Sequence, residues 1–350
     1  MNKQYGGKIS EEEKELFSKS KNWDGKKFLN LEETSMSVRL TTIPKLLYRQ
    51  LFKTEEKRPK ENLPIIPFEG DKFLAASEKT KFIWYGHSVL MLRMSGKTII
   101  IDPMFGSNAA PIAPFSINRF SDSTLKIIDD LPKIDAVFIS HDHYDHLDLE
   151  SIEKLIPKTK HFYTALGDAR HLISWGVDRS KITEFSWWES QDLEDIKITF
   201  TPSRHFSGRG IFDRFTSLWG GWVFNNGKEN IYFSGDGGYG KHFKEVGDRL
   251  GPFDIGFMEC GQYNESWHLI HMYPEETVLA AKDSGVGIAV PVHWGGFPLS
   301  LHKWKDPIER FVTATEKEGV NYFTPQLGEI FSIDSHGIKS KSAKWWEKFK

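Results

Sequence analysis

The 350-residue chain is poor in cysteine, in long apolar runs and in net charge of either sign. Cys260 is the only cysteine, which excludes an intrachain disulfide. No uncharged apolar stretch approaches the roughly eighteen residues of a membrane-spanning helix, and the charged segment 1–21 lacks the apolar core of a signal peptide. The net charge of −2 argues against a general nucleic-acid binder, which needs a basic excess. These absences predict a cytoplasmic protein without a membrane span or a nucleic-acid partner.

Charge and periodicity divide the chain into three parts. Residues 1–35 are polar and are expected to form a loosely structured lead. Residues 36–70 form a basic amphipathic segment, since residues 39–60 hold seven basic side chains against two acidic ones. Such a helix lies on an anionic bilayer, here the inner face of the membrane, or docks its apolar face on the main domain, and both alternatives stay open. Residues 71–340 are expected to form the main domain.

Short apolar strands alternate with turns and helices in this main domain. The predicted strands cover residues 82–85, 89–94, 98–102, 134–139, 196–200, 221–224, 231–233, 255–258 and 286–290. A helix is predicted over residues 147–155 with Asp148 as N-cap, and another over 274–283 with Pro274 in its first turn. Strands followed by mixed strands and helices indicate packed sheets with helices outside.

A cluster of metal-binding side chains follows the predicted strand 134–139. It reads His141-x-His143-x-Asp145-His146, four ligand-type residues within six positions. Such density indicates two metal ions held side by side. Imidazole and carboxylate suit zinc and also iron or manganese, so the pattern indicates the ligand type better than the metal.

Further ligands are expected at the ends of other strands, because one cluster cannot fill two coordination spheres. His205, Asp236 and His293 each follow an apolar strand after a short turn. This shared arrangement predicts that they meet the histidine cluster at one edge of a sheet. Asp102 is expected to hold a turn or a ligand histidine. His87 is expected to be a buried structural residue, with contact to the site as the alternative.

Cations near these ligands are candidates for binding an anionic group. His271 stands three residues before Pro274, where an imidazole beside a helix N-terminus suits a phosphate; a histidine that supports the metal ligands from behind, or a plain surface histidine, is the equal alternative. Arg119, Arg209 and Arg214 are the arginines expected to contact a phosphate. Within the histidine cluster, in contrast, Asp142 is expected to be only a solvent-facing turn residue.

The order of these motifs resembles the metallo-β-lactamase superfamily, and more finely its branch of N-acyl-phosphatidylethanolamine-hydrolysing phospholipases D and bacterial relatives. The resemblance spans roughly residues 36–330. The motifs that carry it include Gly86-His87-Ser88, Asp102-Pro103, residues 141–148, Trp219-Gly220-Gly221-Trp222, Gly235-Asp236-Gly237, His271-Met272-Tyr273-Pro274 and His293-Trp294-Gly295. The fold it implies is α/β, the four-layer αβ/βα metallo-β-lactamase sandwich.

The resemblance also implies a ligand set for two Zn²⁺ ions, with iron or manganese left open. One ion is held by His141, His143 and His205, the other by Asp145, His146 and His293, and Asp236 bridges both. Seven protein ligands leave room for one bridging hydroxide, and a metal pair about 3.5–4 Å apart suits attack on the phosphorus of a phosphodiester. Asp145, which also orients the hydroxide, and His271, which contacts the substrate phosphate, are the catalytic candidates.

The implied activity is a phospholipase D type of phosphodiesterase in lipid metabolism, which acts on N-acyl-phosphatidylethanolamine and releases N-acylethanolamine and phosphatidic acid. The alternative within the superfamily is a lactonase or a hydrolase of small soluble phosphate esters, with a more polar pocket. A catalytically silent binding module is disfavoured because all seven ligand positions are intact. Family members are often dimers, and a homodimer is left open because no residue marks an interface.

Overall fold

Two mixed β-sheets face each other across the core in the computed structural model, which describes residues 2–35, 56–112, 116–210, 212–333 and 344–350. The strands of these ranges are β1 (Lys81–Trp84), β2 (Leu90–Met94), β3 (Lys97–Ile101), β4 (Ile134–Ile139), β5 (Thr159–Ala165), β6 (Ile182–Phe185), β7 (Ser190–Leu193), β8 (Ile196–Thr201), β9 (Gly221–Asn225), β10 (Asn230–Phe233), β11 (Phe253–Glu259), β12 (Val286–Val292) and β13 (Ile330–Phe331). One sheet has the order β13-β1-β2-β3-β4-β5-β6 and the other β12-β11-β10-β9-β8-β7.

Helices cover the outer faces of both sheets. The α-helices of the described ranges are α1 (Glu11–Phe17), α2 (Gly70–Leu74), α3 (Ile127–Asp130), α4 (Leu149–Leu155), α5 (Ala169–Ser174), α6 (His242–Leu250), α7 (Pro274–Asp283) and α8 (Asp306–Glu318). Helices α3, α4 and α5 bury apolar side chains against the outer face of the seven-stranded sheet. Helix α7 packs on β11 and β12, and α8 packs on α7. The predicted four-layer αβ/βα sandwich is confirmed.

Aromatic side chains join the two sheets. The ring of Phe138 on β4 lies 5.0 Å from the ring of Trp222 and 4.8 Å from that of Phe224, both on β9 of the opposite sheet. Phe82 on β1 lies 5.3 Å from Phe257 on β11 in the same way. Strands covered on both faces read as nearly continuous apolar runs, which is why β1 to β4 were evident from sequence.

The expectation of a loosely structured lead at residues 1–35 is wrong for the part that the structure describes. Helix α1 begins with a capping box between Ser10 and Glu13. Phe17 and Phe28 are buried, and their rings lie 5.2 Å apart. The ring of Trp23 lies 4.8 Å from that of Phe28. Three aromatic side chains thus outweigh the polar composition of the segment and fix it to the core.

Most of the predicted basic amphipathic segment, residues 36–55, lies outside the described residues. The part from residue 56 to 70 packs on the body, where Leu63 donates its backbone N–H to Phe120 and Ile66 donates to Leu327. Arg58 donates to the carbonyl oxygens of residues 118 and 119. In the described ranges, no helix combines the length and the apolar character needed to cross a bilayer.

Both helices predicted from local signals are confirmed. Asp148 caps α4 by accepting a hydrogen bond from the backbone N–H of Ser151 at 2.9 Å. Helix α7 has the predicted bounds and carries Pro274 at its first position. Trp345 and Trp346 also pack on the core, where the ring of Trp345 lies 5.4 Å from that of Trp294, so the packed body extends past residue 340.

We expect Phe138→Ala to destabilise the protein by about 3–5 kcal/mol, because the truncation leaves a cavity between the sheets. Urea unfolding followed by tryptophan fluorescence measures this loss. Phe212→Ala is the matched control, since Phe212 is 98% exposed, and it should change the free energy of unfolding by less than about 0.5 kcal/mol. Equal stabilities of the two variants would contradict the packing described here.

Candidate metal centre

The loops that carry all seven predicted ligands meet at one edge of the sandwich. The loop after β4 supplies four of them, and β8, β10 and β12, which run in the same direction, are followed by His205, Asp236 and His293. The expectation that one sheet edge gathers them is wrong, because the ligands come from both sheets. The sheets are joined here by the Trp222 indole N–H, which donates to the carbonyl of Ile139 at 3.2 Å.

Three imidazoles form one group of ligand atoms. Nδ1 of His143 lies 2.9 Å from Nε2 of His141 and 3.2 Å from Nε2 of His205. His141 and His205 are buried, and His143 is partly exposed. Three ring nitrogens that converge at such distances form a metal-ligand arrangement.

A second group combines carboxylates with imidazoles. Nε2 of His293 lies 3.2 Å from Oδ2 of Asp145, and Nε2 of His146 lies 3.6 Å from the same oxygen. Oδ2 of Asp236 is 3.1 Å from Nε2 of both His146 and His293 and 3.9 Å from Nε2 of His205. Asp236 therefore stands between the two groups and approaches histidines of both.

Most of these imidazoles are held through the ring nitrogen that faces away from the cluster. Nδ1 of His146 lies 2.7 Å from Oδ2 of Asp102, whose Oδ1 accepts the backbone N–H of Ser140 at 2.7 Å. Nδ1 of His205 donates to the carbonyl of Ile270 at 3.0 Å. Such bonds fix the tautomer and leave Nε2 as the free ligand atom. Asp102 thus contacts both the turn at Ser140 and the imidazole of His146, the two kinds of contact that the sequence predicts for it.

Burial keeps the first group of imidazoles neutral. It lowers the pKa of His141 and His205 well below the ordinary value, and neighbouring imidazoles lower both further. The pKa of His143 is lowered to about 4, again mainly by burial. A neutral imidazole is the form that binds a metal ion, so these side chains are ready for coordination at neutral pH.

The second group is dominated by its carboxylates. Burial alone would raise the pKa of Asp145 and Asp236, but the adjacent histidines hold both well below the ordinary value. Burial alone would lower the pKa of His146, whereas Asp236, Asp145 and Asp102 together raise it to about 10. In the metal-free protein a proton on His146 therefore balances charge that a bound cation would neutralise.

This donor set fits metal ions. The ligand atoms of His141, His143 and His205 lie within 4.8 Å of one another, and so do those of Asp145, His146 and His293 together with His87. Asp236 forms a group of the same kind with His141 and His146. Zinc, iron and manganese all accept such ligands. The chemistry of the cluster therefore supports a metal-binding site without selecting among these ions.

His87 agrees with its expected role, whereas Asp142 does not. His87 is buried as predicted, and its Nε2 lies 2.8 Å from Oδ2 of Asp145, so the alternative of a contact to the site also holds. Asp142 is fully buried, contrary to the predicted solvent-facing turn. It accepts the backbone N–H of Gly208 at 2.7 Å and the hydroxyl of Ser217 at 2.9 Å, which ties the histidine cluster to the loop after β8.

Arg119 is placed in the interior, away from the predicted role of phosphate contact. Its guanidinium donates to the carbonyl oxygens of Tyr85, Met104 and Gly106 and lies 4.6 Å from the ring of Phe297. The side chain is 5% exposed, and burial lowers its pKa to about 10. We therefore assign Arg119 a structural role, since its donors are used by the main chain.

Arg209 is likewise buried. Its Nη1 donates to the carbonyls of Asp142 and Leu147 at 2.6 and 2.8 Å, and its Nε donates to that of Gln4 at 2.8 Å. It joins the histidine loop to the N-terminal lead, and this structural role replaces the predicted substrate contact. Arg214 remains a candidate, because its half-buried guanidinium lies 4.6 Å from the ring of Phe206, which is 4.5 Å from the ring of His143.

His271 lies beside the cluster and retains some exposure, 14% of its side chain. Its ring centre is 5.1 Å from that of His205 and 5.3 Å from that of His293. Glu259, which the sequence analysis missed, lies 3.1 Å from Nδ1 of His271. Glu259 is the last residue of the apolar strand β11, and the predicted ligands follow the ends of other apolar strands. A search for ligand-type residues at strand ends could therefore have identified Glu259.

Removal of the metal by a chelator should lower the unfolding temperature of the protein. The unfolding temperature of the metal-free protein should then fall further as the pH rises from about 7 to 10. The pKa of His146 lies above its ordinary 6.5, so the folded state holds a proton there that the unfolded state releases. Zinc at about a thousand times its Kd should restore roughly 4 kcal/mol. Calorimetry across this pH range measures both effects.

His268→Asn, which replaces a partly exposed histidine outside the two ligand groups, is the control for this experiment and should keep the full response to chelation. An unfolding temperature that chelation leaves unchanged, or that rises with pH in the metal-free protein, would contradict the site.

Comparison with known proteins agrees with this geometry. The family described as "Beta-lactamase superfamily domain" matches residues 97–294. An uncharacterized protein of Mycobacterium tuberculosis is 35% identical over 335 residues, which cover 93% of this chain and 87% of that protein. N-acyl-phosphatidylethanolamine-hydrolyzing phospholipase D 1 of Caenorhabditis elegans is 28% identical over 83% of this chain and 87% of its own length.

A solved structure has the same fold. The metallo hydrolase Igni18 of Ignicoccus hospitalis superposes with a TM-score of 0.56 at 21% identity, over 73% of this chain and 99% of that one. The family match spans more than half of the chain and includes six of the seven cluster residues in its interior, with the seventh, His293, close to its end. The chain therefore belongs to the metallo-β-lactamase superfamily of metal-dependent hydrolases.

Proposed function

We propose that the protein is a dinuclear zinc hydrolase that cleaves the phosphodiester bond of an N-acyl-phosphatidylethanolamine-type phospholipid, releasing N-acylethanolamine and phosphatidic acid. The main support is the similarity to a hydrolase of this substrate class over 83% of the chain, together with the complete ligand cluster. Fold similarity alone does not select a substrate, because one fold hosts many functions.

The two ligand groups suggest which side chains hold each ion. In this proposal His141, His143 and His205 bind one ion, Asp145, His146 and His293 bind the other, and Asp236 bridges them. Bound metal would lower the pKa of a water molecule and stabilise charge on the phosphoryl oxygens. The carboxylate of Asp145, besides its ligand role, would orient the attacking water.

The remaining chemistry falls to side chains beside the cluster. His271 is partly exposed there and stands just before α7, whose N-terminus favours an anionic group. We assign it the phosphate contact and the catalytic role at the headgroup. Arg214, beyond the ring of Phe206, would add positive charge at the mouth of the site.

Exposed apolar side chains next to the site support a lipid substrate. Leu29 and Leu31 are 51% and 53% exposed, and Asn30 between them accepts the backbone N–H of His205 and donates to its carbonyl. Phe212, at 98% exposure, lies in the loop that follows His205. These three side chains, which we call the apolar rim, would contact acyl chains at the surface of a bilayer. Contact through residues 36–60, a cytoplasmic location and a homodimer remain predictions.

Zinc-loaded protein mixed with vesicles of N-acyl-phosphatidylethanolamine should release N-acylethanolamine and phosphatidic acid, detected by mass spectrometry. Asp236→Asn should abolish release with the fold kept, because the amide carries no charge to hold two cations together. Metal content and circular dichroism of the variant check that the fold is intact.

Two results would argue against the proposed substrate. Absence of product from protein that holds two metal ions would exclude this lipid, and turnover of small phosphate esters or lactones would then favour the soluble-ester alternative. Full activity of Asp236→Asn would instead contradict the assignment of the site.

Replacement of the apolar rim by serine, one residue at a time, should weaken binding to anionic vesicles. A substitution that removes roughly 1.4 kcal/mol of apolar burial should weaken the affinity for vesicles about tenfold. Hydrolysis of a soluble phosphodiester should stay unchanged, because such a substrate has no acyl chain for the rim to contact. Cosedimentation and a chromogenic ester measure the two effects.

Leu279→Ser is the matched control, since Leu279 is 39% exposed on α7 and lies outside the rim. Vesicle binding that falls equally in this control, or in none of the rim variants, would remove the support that the rim gives to a lipid substrate.

A further inference from the structure

Glu259 is a buried carboxylate beside the metal centre. It ends β11, which lies between the two strands whose following residues include Asp236 and His293. Its side chain is about 1% exposed. Burying a carboxylate without partners is strongly unfavourable, so its contacts indicate what it does.

The contacts of this carboxylate are made with two imidazoles and one backbone amide. Oε1 lies 3.1 Å from Nδ1 of His271 and 3.4 Å from Nδ1 of His293. Oε2 accepts the backbone N–H of Met272 at 3.0 Å. No lysine or arginine of the described ranges forms an ion pair with it. Among the described residues, the polar side-chain contacts of this carboxylate are therefore limited to the two imidazoles and the Met272 amide.

An ionised carboxylate only accepts hydrogen bonds, so it favours a proton on each Nδ1 that faces it. Nδ1 of His293 has no hydrogen-bond partner within the geometric limits in the part of the chain that the structure describes, and Oε1 of Glu259, 3.4 Å away, is its ion-pair contact. With Nδ1 protonated, the lone pair of His293 is on Nε2, which is the atom near Asp145 and Asp236. The same reasoning leaves Nε2 of His271 free on the opposite side of its ring.

The two rings are also aligned with each other. Their planes differ by 13°, and their centres lie 5.3 Å apart. A single oxygen thus sits at the Nδ1 side of two nearly parallel imidazoles. This arrangement fixes both rings together, whereas two separate partners would fix each ring alone.

We infer that Glu259 is a positioning residue that holds His271 and His293 in the same Nδ1–H tautomer, and so couples a metal ligand to the histidine that faces the substrate. The inference rests on the proposed metal centre and on the proposed role of His271. It assigns Glu259 no direct contact with metal or substrate.

The tautomer is measured directly by ¹H–¹⁵N correlation spectra of the zinc-loaded protein labelled at histidine, with His271→Asn identifying the signal of His271. We expect His271 to carry its proton on Nδ1 in the wild type. In Glu259→Gln the single amide oxygen cannot serve both rings and the Met272 amide, so a mixture of tautomers is expected. A wild-type His271 protonated only on Nε2, or a spectrum unchanged in the variant, would overturn the inference.

Zinc affinity gives a second readout that needs no substrate. In competition with a chelator, Glu259→Gln should bind one of its two zinc equivalents about 10- to 100-fold more weakly, as when a carboxylate behind a ligand histidine is removed. Glu265→Gln is the control, because Glu265 is an exposed carboxylate of the following loop. Unchanged affinity for both equivalents in Glu259→Gln would overturn the inference.

These readouts separate the inference from the proposed function. A protein that fails to cleave the lipid but shows the expected tautomer and zinc affinities would contradict only the substrate. If Glu259→Gln does not fold, the wild-type spectrum alone tests the inference, because the inference requires His271 to carry its proton on Nδ1.

Discussion

The mutual approach of buried imidazoles and carboxylates is the constraint on which this structure depends. Oδ2 of Asp236 lies 3.1 Å from two imidazole nitrogens, and the ring nitrogens of His141 and His143 lie 2.9 Å apart. Such lone pairs and charges are stable together only with a cation or protons between them. The two sheets supply the opposing force, since Phe138 and its partners on β9 hold the strand ends in place.

A layer of polar contacts behind the cluster orients the ligands. Asp102 holds His146, His87 holds Asp145, and Glu259 reaches both His271 and His293. Each comes from a different segment of the chain, so the metal centre depends on several loops at once. This layer limits which nitrogen of each histidine is free, and it therefore sets the chemistry of the site before any ion binds.

The N-terminal lead is part of the same construction. Asn30 forms two hydrogen bonds with the backbone of His205, and the carbonyl of Gln4 accepts from Arg209 behind the histidine loop. The lead also carries Leu29 and Leu31, which are exposed beside the site. One segment thus supports His205 and offers apolar surface next to it, which is consistent with the proposed substrate that has a phosphate and acyl chains.

The sequence by itself determined the features that depend on near neighbours. Apolar runs, the cap at Asp148 and Pro274 predicted strands and helices, and the strand-then-ligand pattern predicted the seven ligands that the fold brings together. Edge strands such as β7, with mostly exposed residues, lacked that signal. Only the tertiary structure decided the roles of Asp142, Arg119, Arg209 and Glu259, because burial and pairing depend on which distant segments meet. The local sequence around a charged turn residue is the same whether that residue faces water or a buried partner. Only the packing of distant segments distinguishes the two cases.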